Sequence, residues 1–358
     1  MAPDKPKRSS AEPNSEMSAT KHTGTSAHRA PLFIIGALIV LLAAIVAGFL
    51  FGSSSVSAGD LFTWATGGEI SNSAKSILVN VRLPRVLSAV LAGAALACAG
   101  AIIQAVLDNP MASPNIIGIN SGAGLAVLVA ASLFPNVEWV GPIAAFAGAV
   151  ATALIVFAIS LSSGTSKLTV ILAGIAITSI FSAGMNTILI VNPDAYIGSS
   201  TFLVGGLSSV KMKDILWPAA YIACALPIAF ISSGRLNLMS LGDTTAHSLG
   251  MHVQGTRLAM LALASVLAGA AVSFAGLLGF VGLIIPHLVR FFVGHDNRVV
   301  LPLSSIVGSA FVVICDLLAR VMFAPYELPV GILMAFIGGP FFIYLILKNR
   351  KGGLGGSD

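Results

Sequence analysis

The sequence predicts an all-α polytopic membrane protein of about ten transmembrane helices, and three observations carry that prediction. Of 358 residues, 56% are hydrophobic and only 9% are charged, against roughly 25% charged in a soluble domain. The mean hydropathy is +0.95. Apolar runs of about 20 residues, the length a helix needs to cross a bilayer, recur along most of the chain. The net charge of +5 does not point to nucleic acid. The basic residues flank the apolar runs, as cytoplasmic anchors do, and no basic stripe is interleaved with aromatics.

In chain order, residues 1–30 are rich in Ser, Pro, Lys and Thr and lack an apolar face. They read as a disordered polar cytoplasmic tail. The run 31–52 is longer than the 7–15 residues of a signal-peptide core, so it reads as a first span. Spans then follow at 32–51, 86–106, 115–134, 140–161, 168–191, 214–232, 257–275, 278–293, 300–322 and 329–347. The seventh and eighth are divided at 276–279, where Gly permits a tight turn. The alternative there is one long helix bent at the glycines. Residues 31–350 thus form one ten-helix domain, with a flexible tail at 351–358. Stretches such as "VLAGAALACAGA" crowd small residues into the spans, which lets helix backbones approach closely in lipid.

Lys and Arg set the orientation. A cytoplasmic N-terminus puts thirteen basic residues inside and six outside, and ten spans return the C-terminus to the cytoplasm. Cys98, Cys224 and Cys315 all lie in apolar runs, an odd and widely spaced set that fits neither a disulfide framework nor zinc. The six histidines lack the spacing of a helical metal pair, so no metal site is expected. There is no G-x-x-x-x-G-K-[ST] phosphate loop, so ATP hydrolysis is not expected of this chain.

Polar features inside this apolar sequence carry the functional reading. The stretch "LNLMSLGDTTAHSLGMHVQGTR", 236–257, falls on the cytoplasmic side. Asp243 and Thr244 can cap a helix start, Leu241, Ala246 and Leu249 are spaced to share one apolar strip, and Gly250 can end the helix. Such a strip outside the membrane predicts a partner pressed against it. In "QAVLDNPMASPNIIGINSGAG" two bracketing prolines hold an irregular backbone that suits a constriction on a pathway. Asp316 is the only acid well inside a span, and Arg320 stands four residues on, on the same helix face. A structural ion pair is the favoured reading, and the scarcity of such groups disfavours an ion-coupled secondary carrier. Arg82 and Arg85 stand at the outer mouth of the second span, level with Arg320. Three guanidiniums at one rim could receive carboxylates.

Six ordered motifs resemble one known family. "RLPR", "NPMASPNIIGINSGAG", "LNLMSLGDTTAHSLGM", "GLLGFVGLIIPHLVR", "GHDNR" and "ELPVGILMAFIGGPFF" occur in this order over residues 30–350. They are similar to the permeases of the iron-chelate, haem and cobalamin importers, the type II ABC importers. The resemblance implies that fold, a cell-membrane location and a homodimer, or a dimer with a paralogous permease, around a central pathway. It implies two ATP-binding subunits carrying ATP and Mg on the inner side and an extracytoplasmic binding protein outside. This chain itself would bind no cofactor and would be a transport subunit, not an enzyme. The cargo expected first is a ferric siderophore, with haem and cobalamin as alternatives. Carried over, Leu238, Leu241, Gly242, Asp243, Ala246, Leu249 and Gly250, within 236–252, form the ATPase-coupling surface. Many relatives have Glu where Asp243 stands, and either residue can cap. Arg82, Arg85 and Arg320 would dock the binding protein. Asn109, Pro110 and Met111, with Thr165 and Ser166, would form the cytoplasmic gate. The fifth, eighth and tenth spans would line the pathway, with Met185 and Asn186 facing it.

Overall fold

The computed structural model describes residues 30–52, 56–162, 167–324 and 326–352, and no strand occurs among the described residues. The helices are α1 (Ala30–Leu50), α2 (Ala58–Ala65), α3 (Asn72–Ile77), α4 (Leu83–Leu107), α5 (Ile119–Leu133), α6 (Val140–Ser162), α7 (Lys167–Val191), α8 (Pro193–Val204), α9 (Met212–Ile231), α10 (Ser233–Met239), α11 (Asp243–Ser248), α12 (Val253–Ala275), α13 (Val281–Val293), α14 (Asn297–Val321) and α15 (Val330–Gly352). The ten expected spans appear in order as α1, α4, α5, α6, α7, α9, α12, α13, α14 and α15. Among the described residues seven helical stretches are long and apolar enough to cross a membrane, and α5, α13 and α15 contribute shorter apolar segments. The expected N-terminal tail lies outside the described residues, as does the C-terminal tail beyond Gly352.

The second span begins earlier than expected. α3 runs through a π-helical turn at Leu78–Arg82 into α4, making one apolar stretch from Asn72 to Leu107. Pro84 lacks the N–H that would close a regular α turn, and the wider turn just before it absorbs the mismatch without ending the helix. Three short helices were not expected. α2 is started by a capping box, in which Ser57 Oγ accepts from Asp60 N at 3.0 Å and Asp60 accepts from Ser57 N at 3.1 Å. α3 is capped by Ser71, whose Oγ accepts from Ala74 N. α8 opens on Pro193 with Asp194 in its first turn, a favourable start on both counts.

α4 is the centre of the bundle, packed against α12, α13 and α14 and buried along nearly its whole length. Its small residues make this possible: a methyl group at Gly93 would run into the Gly308 carbonyl of α14, and one at Gly100 into the Gly282 carbonyl of α13. The division at 276–279 is real. Gly276 takes φ +73° as α12 ends, and Leu277 N donates to Phe202 O of α8 at 2.9 Å. Phe280 also lies in the left-handed region, at φ +65°, an unusual place for a bulky residue. Its ring rests against Gly338 of α15, where any side chain would collide with it.

Inside α13, Pro286 leaves the Gly282 carbonyl without its usual helical donor. Gln104 of α4 replaces that donor: its Nε2 donates to Gly282 O at 3.3 Å and Leu283 O at 3.2 Å. Arg290 in turn donates to Gln104 Oε1 and, at 3.1 Å, to Ala101 O. Gln104→Leu keeps the bulk and removes the amide. It is expected to destabilise the protein by about 1–3 kcal/mol, the cost of a buried acceptor left unmet. Thermal unfolding in detergent checks this, with Gln104→Glu as the variant that retains an acceptor for Arg290.

Candidate functional site

Three regions hold the residues that the sequence singles out: the inner end of the bundle, as the Lys/Arg bias orients it, a broken stretch at its centre, and the outer end.

At the inner end α10 and α11 form a short helix pair between α9 and α12. α10 buries Leu236 and Met239 against the bundle, while Leu238 is half-buried. The cap of α11 differs from expectation. Gly242, at φ +94°, holds the N-cap position and makes no side-chain bond. Asp243 is the first helical residue, and its carboxylate goes to Arg257 Nη2, at 2.8 and 2.7 Å. The helix ends as expected: Gly250, at φ +83°, donates to His247 O and Met251 N donates to Ala246 O, the paired bonds of a Schellman motif. The apolar strip is divided. Leu241 and Leu249 are 57% and 60% exposed, whereas Ala246 is completely buried against its own chain. Helical spacing put the three on one strip, but only the two leucines remain available to a partner.

The broken stretch begins at the inner end of α4, where the helix stops at Asp108 in a left-handed turn, φ +48°. Asn109 Oδ1 accepts from Met111 N at 2.9 Å, which tightens the Asn-Pro turn. Pro110 is exposed and Met111 half-buried. Asp108 pairs with Lys167 at 3.3 Å, so this turn is held to the start of α7. Thr165 and Ser166 lie immediately before that start and fall outside the described residues. The irregular backbone runs on to Gly118, with Ala112 and Ile117 fully buried. It lies against the other break: Asn120 Nδ2 donates to Leu278 O at 3.3 Å, and Pro114 sits against Gly282. α7 closes in from the side, with Gly174 against the Ile116 carbonyl and Thr178 Oγ1 3.4 Å from Ser121 Oγ. At membrane depth such backbone is stable only where it is buried in protein or lines a water-filled cavity. Asn120, Thr178 and Phe280 belong to this cluster and were not singled out in the sequence. Asn120 and Thr178 carry no spacing signal there, and the left-handed turn at Phe280 is invisible without coordinates.

Further along α7, Met185 is half-buried against Gly124 of α5, and Asn186 is exposed. Asn186 shares an exposed stripe with Ala176, Ser179 and Ala183.

The outer end corrects a second expectation. Arg82, Arg85 and Arg320 are 2%, 4% and 3% exposed, so they do not form an open rim. Arg85 Nε lies 3.0 Å from Asp316, and its Nη1 lies 2.6 Å from Glu327. Arg320 pairs with Asp316 at 3.2 Å, the expected i,i+4 bridge. Arg82 donates to the carbonyls of Phe49 and Leu50 at the end of α1. The network ties α1, α4, α14 and the segment before α15 together. Glu327 is the partner that sequence spacing missed, because no local pattern links it to Arg85, 242 positions away. The exposed basic residues at this end include Lys211 and Lys213, which both bond Glu138. Those bonds, Lys213 first, hold the Glu138 carboxyl below its ordinary range. Beside them a cavity of about 940 Å³ is lined by Glu138, Asp194, Lys211 and Asp214 among others.

Among the described residues no cluster of His, Cys, Asp or Glu could hold a metal. An all-helical polytopic bundle with broken helices at its centre and a short helix pair at one end is the architecture of a type II ABC importer permease. It superimposes on a solved metal-chelate type ABC transporter in an inward-facing conformation with a TM-score of 0.78 and 29% identity, covering 89% of this chain and 99% of that one. The chain belongs to the FecCD transport family, whose pattern matches residues 38–348. Its relatives include the Fe(3+)-citrate import system permease protein YfmD of Bacillus subtilis, 37% identical over 91% of this chain and 97% of that protein. The hemin transport system permease protein HmuU of Yersinia pestis is 35% identical over 90% and 97%. The cobalamin import system permease protein BtuC of Halobacterium salinarum is 40% identical over 79% and 76%.

Proposed function

We propose that this chain is the membrane-spanning subunit of an ATP-driven importer in the cell membrane, and that it moves a ferric chelate, a ferric siderophore first. It would work as a dimer with a second copy of itself or a paralogue, above two ATP-binding subunits that carry ATP and Mg, and below an extracytoplasmic binding protein. The observation that carries this reading is the inner helix pair. Leu241 and Leu249 are exposed on a capped helix that is fastened to the bundle, which is what a seat for another protein requires. Leu238, Gly242, Asp243 and Gly250 frame that seat, and Ala246 supports it from within.

The exposed stripe on α7 that carries Ser179 and Asn186 fits a surface covered by a second copy or facing an aqueous path, since Asn186 would be costly against lipid. Asn109, Pro110 and Met111, beside the start of α7, fit an inner gate. Docking of the binding protein by Arg82, Arg85 and Arg320 would require their release from Asp316, Glu327 and the α1 carbonyls. In the present arrangement they join α1, α4, α14 and the segment before α15 instead. Asp316 is engaged by two arginines, which leaves it poorly suited to a proton or sodium relay and weighs against an ion-coupled carrier.

Cargo is tested by reconstituting the permease with its ATPase and binding protein. Uptake of labelled ferric siderophore, ferric citrate, haemin and cobalamin is then compared. Saturable uptake of a ferric chelate is expected. Uptake of haemin or cobalamin alone would reassign the cargo.

A further inference from the structure

We propose that the Asp243–Arg257 ion pair is the mechanical link through which α11 moves the membrane helices. Arg257 is then a positioning residue for energy coupling, a role that rests on α10 and α11 seating an ATPase.

α11 has six residues, too few to hold a helix unaided, and its one buried side chain is Ala246. It lies between Gly242 and Gly250, both with positive φ, and a Cβ at either would meet nothing within 4 Å. These glycines therefore serve backbone conformation and not close packing, each making the turn at one end of α11. Arg257 reaches across from the second turn of α12. Side chains on a helix lean toward its N-terminus, which aims Arg257 back at α11. Its side chain is buried, while that of Asp243 is half exposed. The pair thus has one end anchored in the bundle and the other on the short, half-exposed α11.

α10 is fastened by other means. Asn237 Nδ2 donates to Asp296 Oδ1 at 2.6 Å, and Asn237 Oδ1 accepts from the backbone and side-chain nitrogens of Asn297 at 2.8 and 2.9 Å. Asp296 is the N-cap of α14. A push on the seat is therefore divided: α10 carries it to α14 through neutral and charged hydrogen bonds, and α11 carries it to α12 through the ion pair. α12 and α14 both pack on α4, where the two paths meet. Removing the Arg257 charge would cut one path and leave Leu241 and Leu249 in place.

The test uses the complete complex in proteoliposomes. Arg257→Met is expected to retain the ATPase and its basal hydrolysis while substrate moved per ATP falls about tenfold, within the range of typical coupling free energies. Arg257→Lys keeps the charge at shorter reach and should lie between the two, which keeps the test readable if the Met variant fails to insert. Wild-type transport per ATP in Arg257→Met would overturn the link. Retention of the ATPase by Leu241→Asp would instead remove the seat itself, so the two failures are distinct.

Discussion

Leu241→Asp is expected to release the ATPase from the permease and abolish uptake while the chain still inserts and folds. In the free chain Leu241 is mostly exposed, so a carboxylate there is solvated and costs little. In the complex it would lie unpaired in an apolar groove. An uncompensated buried charge costs about 3–5 kcal/mol, a weakening of roughly two to three powers of ten at 1.4 kcal/mol each. Co-purification of the ATPase and ATP-dependent uptake are the measurements. Leu249→Asp should behave alike, because the two leucines are the outward part of the strip. Ala246→Asp should fail differently, by unfolding α11 from its own bundle.

The second large effect is expected at the outer end. Asp316→Asn removes the carboxylate shared by Arg85 and Arg320 and leaves three buried guanidiniums facing Glu327 alone among the acids of the network. Breaking a buried pair from one side costs about 3–5 kcal/mol, a large part of the roughly 5–15 kcal/mol that holds a typical domain together. A markedly lower thermal midpoint in detergent and poor accumulation in the membrane should follow. Asp316→Asn combined with Arg320→Met removes one unpaired charge as well and should recover part of the loss, which a double-mutant cycle would quantify. A single variant as stable as the parent would mean that the network is screened by water.

Most spans were legible because lipid imposes a strong rule, about 20 apolar residues per crossing, which seven helical stretches among the described residues meet while α5, α13 and α15 give shorter apolar segments. The break at 276–279 was legible because Gly marks it twice. α2, α3 and α8 were not, although Ser57 with Asp60, and Pro193 with Asp194, are ordinary start signals. They are short and lie outside the apolar runs that organised the reading. Periodicity placed Leu241, Ala246 and Leu249 on a strip but could not say which part of it faces inward. Capping preference chose Asp243, yet the turn needs the positive φ of Gly242, and the carboxylate is claimed by Arg257. The i,i+4 rule found Asp316 with Arg320. It could not find Arg85 with Glu327, since that pair is set by how α4 and the segment before α15 meet. The three arginines lie together at one end of the bundle, but they are buried there and not exposed. Thr165 and Ser166, expected in the gate, lie outside the described residues.

The most direct measurement is uptake by the purified permease–ATPase complex in proteoliposomes, with the binding protein and its ferric chelate on the outer side. ATP supplied to the ATPase face, without any ion gradient, should drive accumulation, and Leu241→Asp should abolish it. Accumulation driven by a proton or sodium gradient in the absence of ATP and of the ATPase would contradict the account.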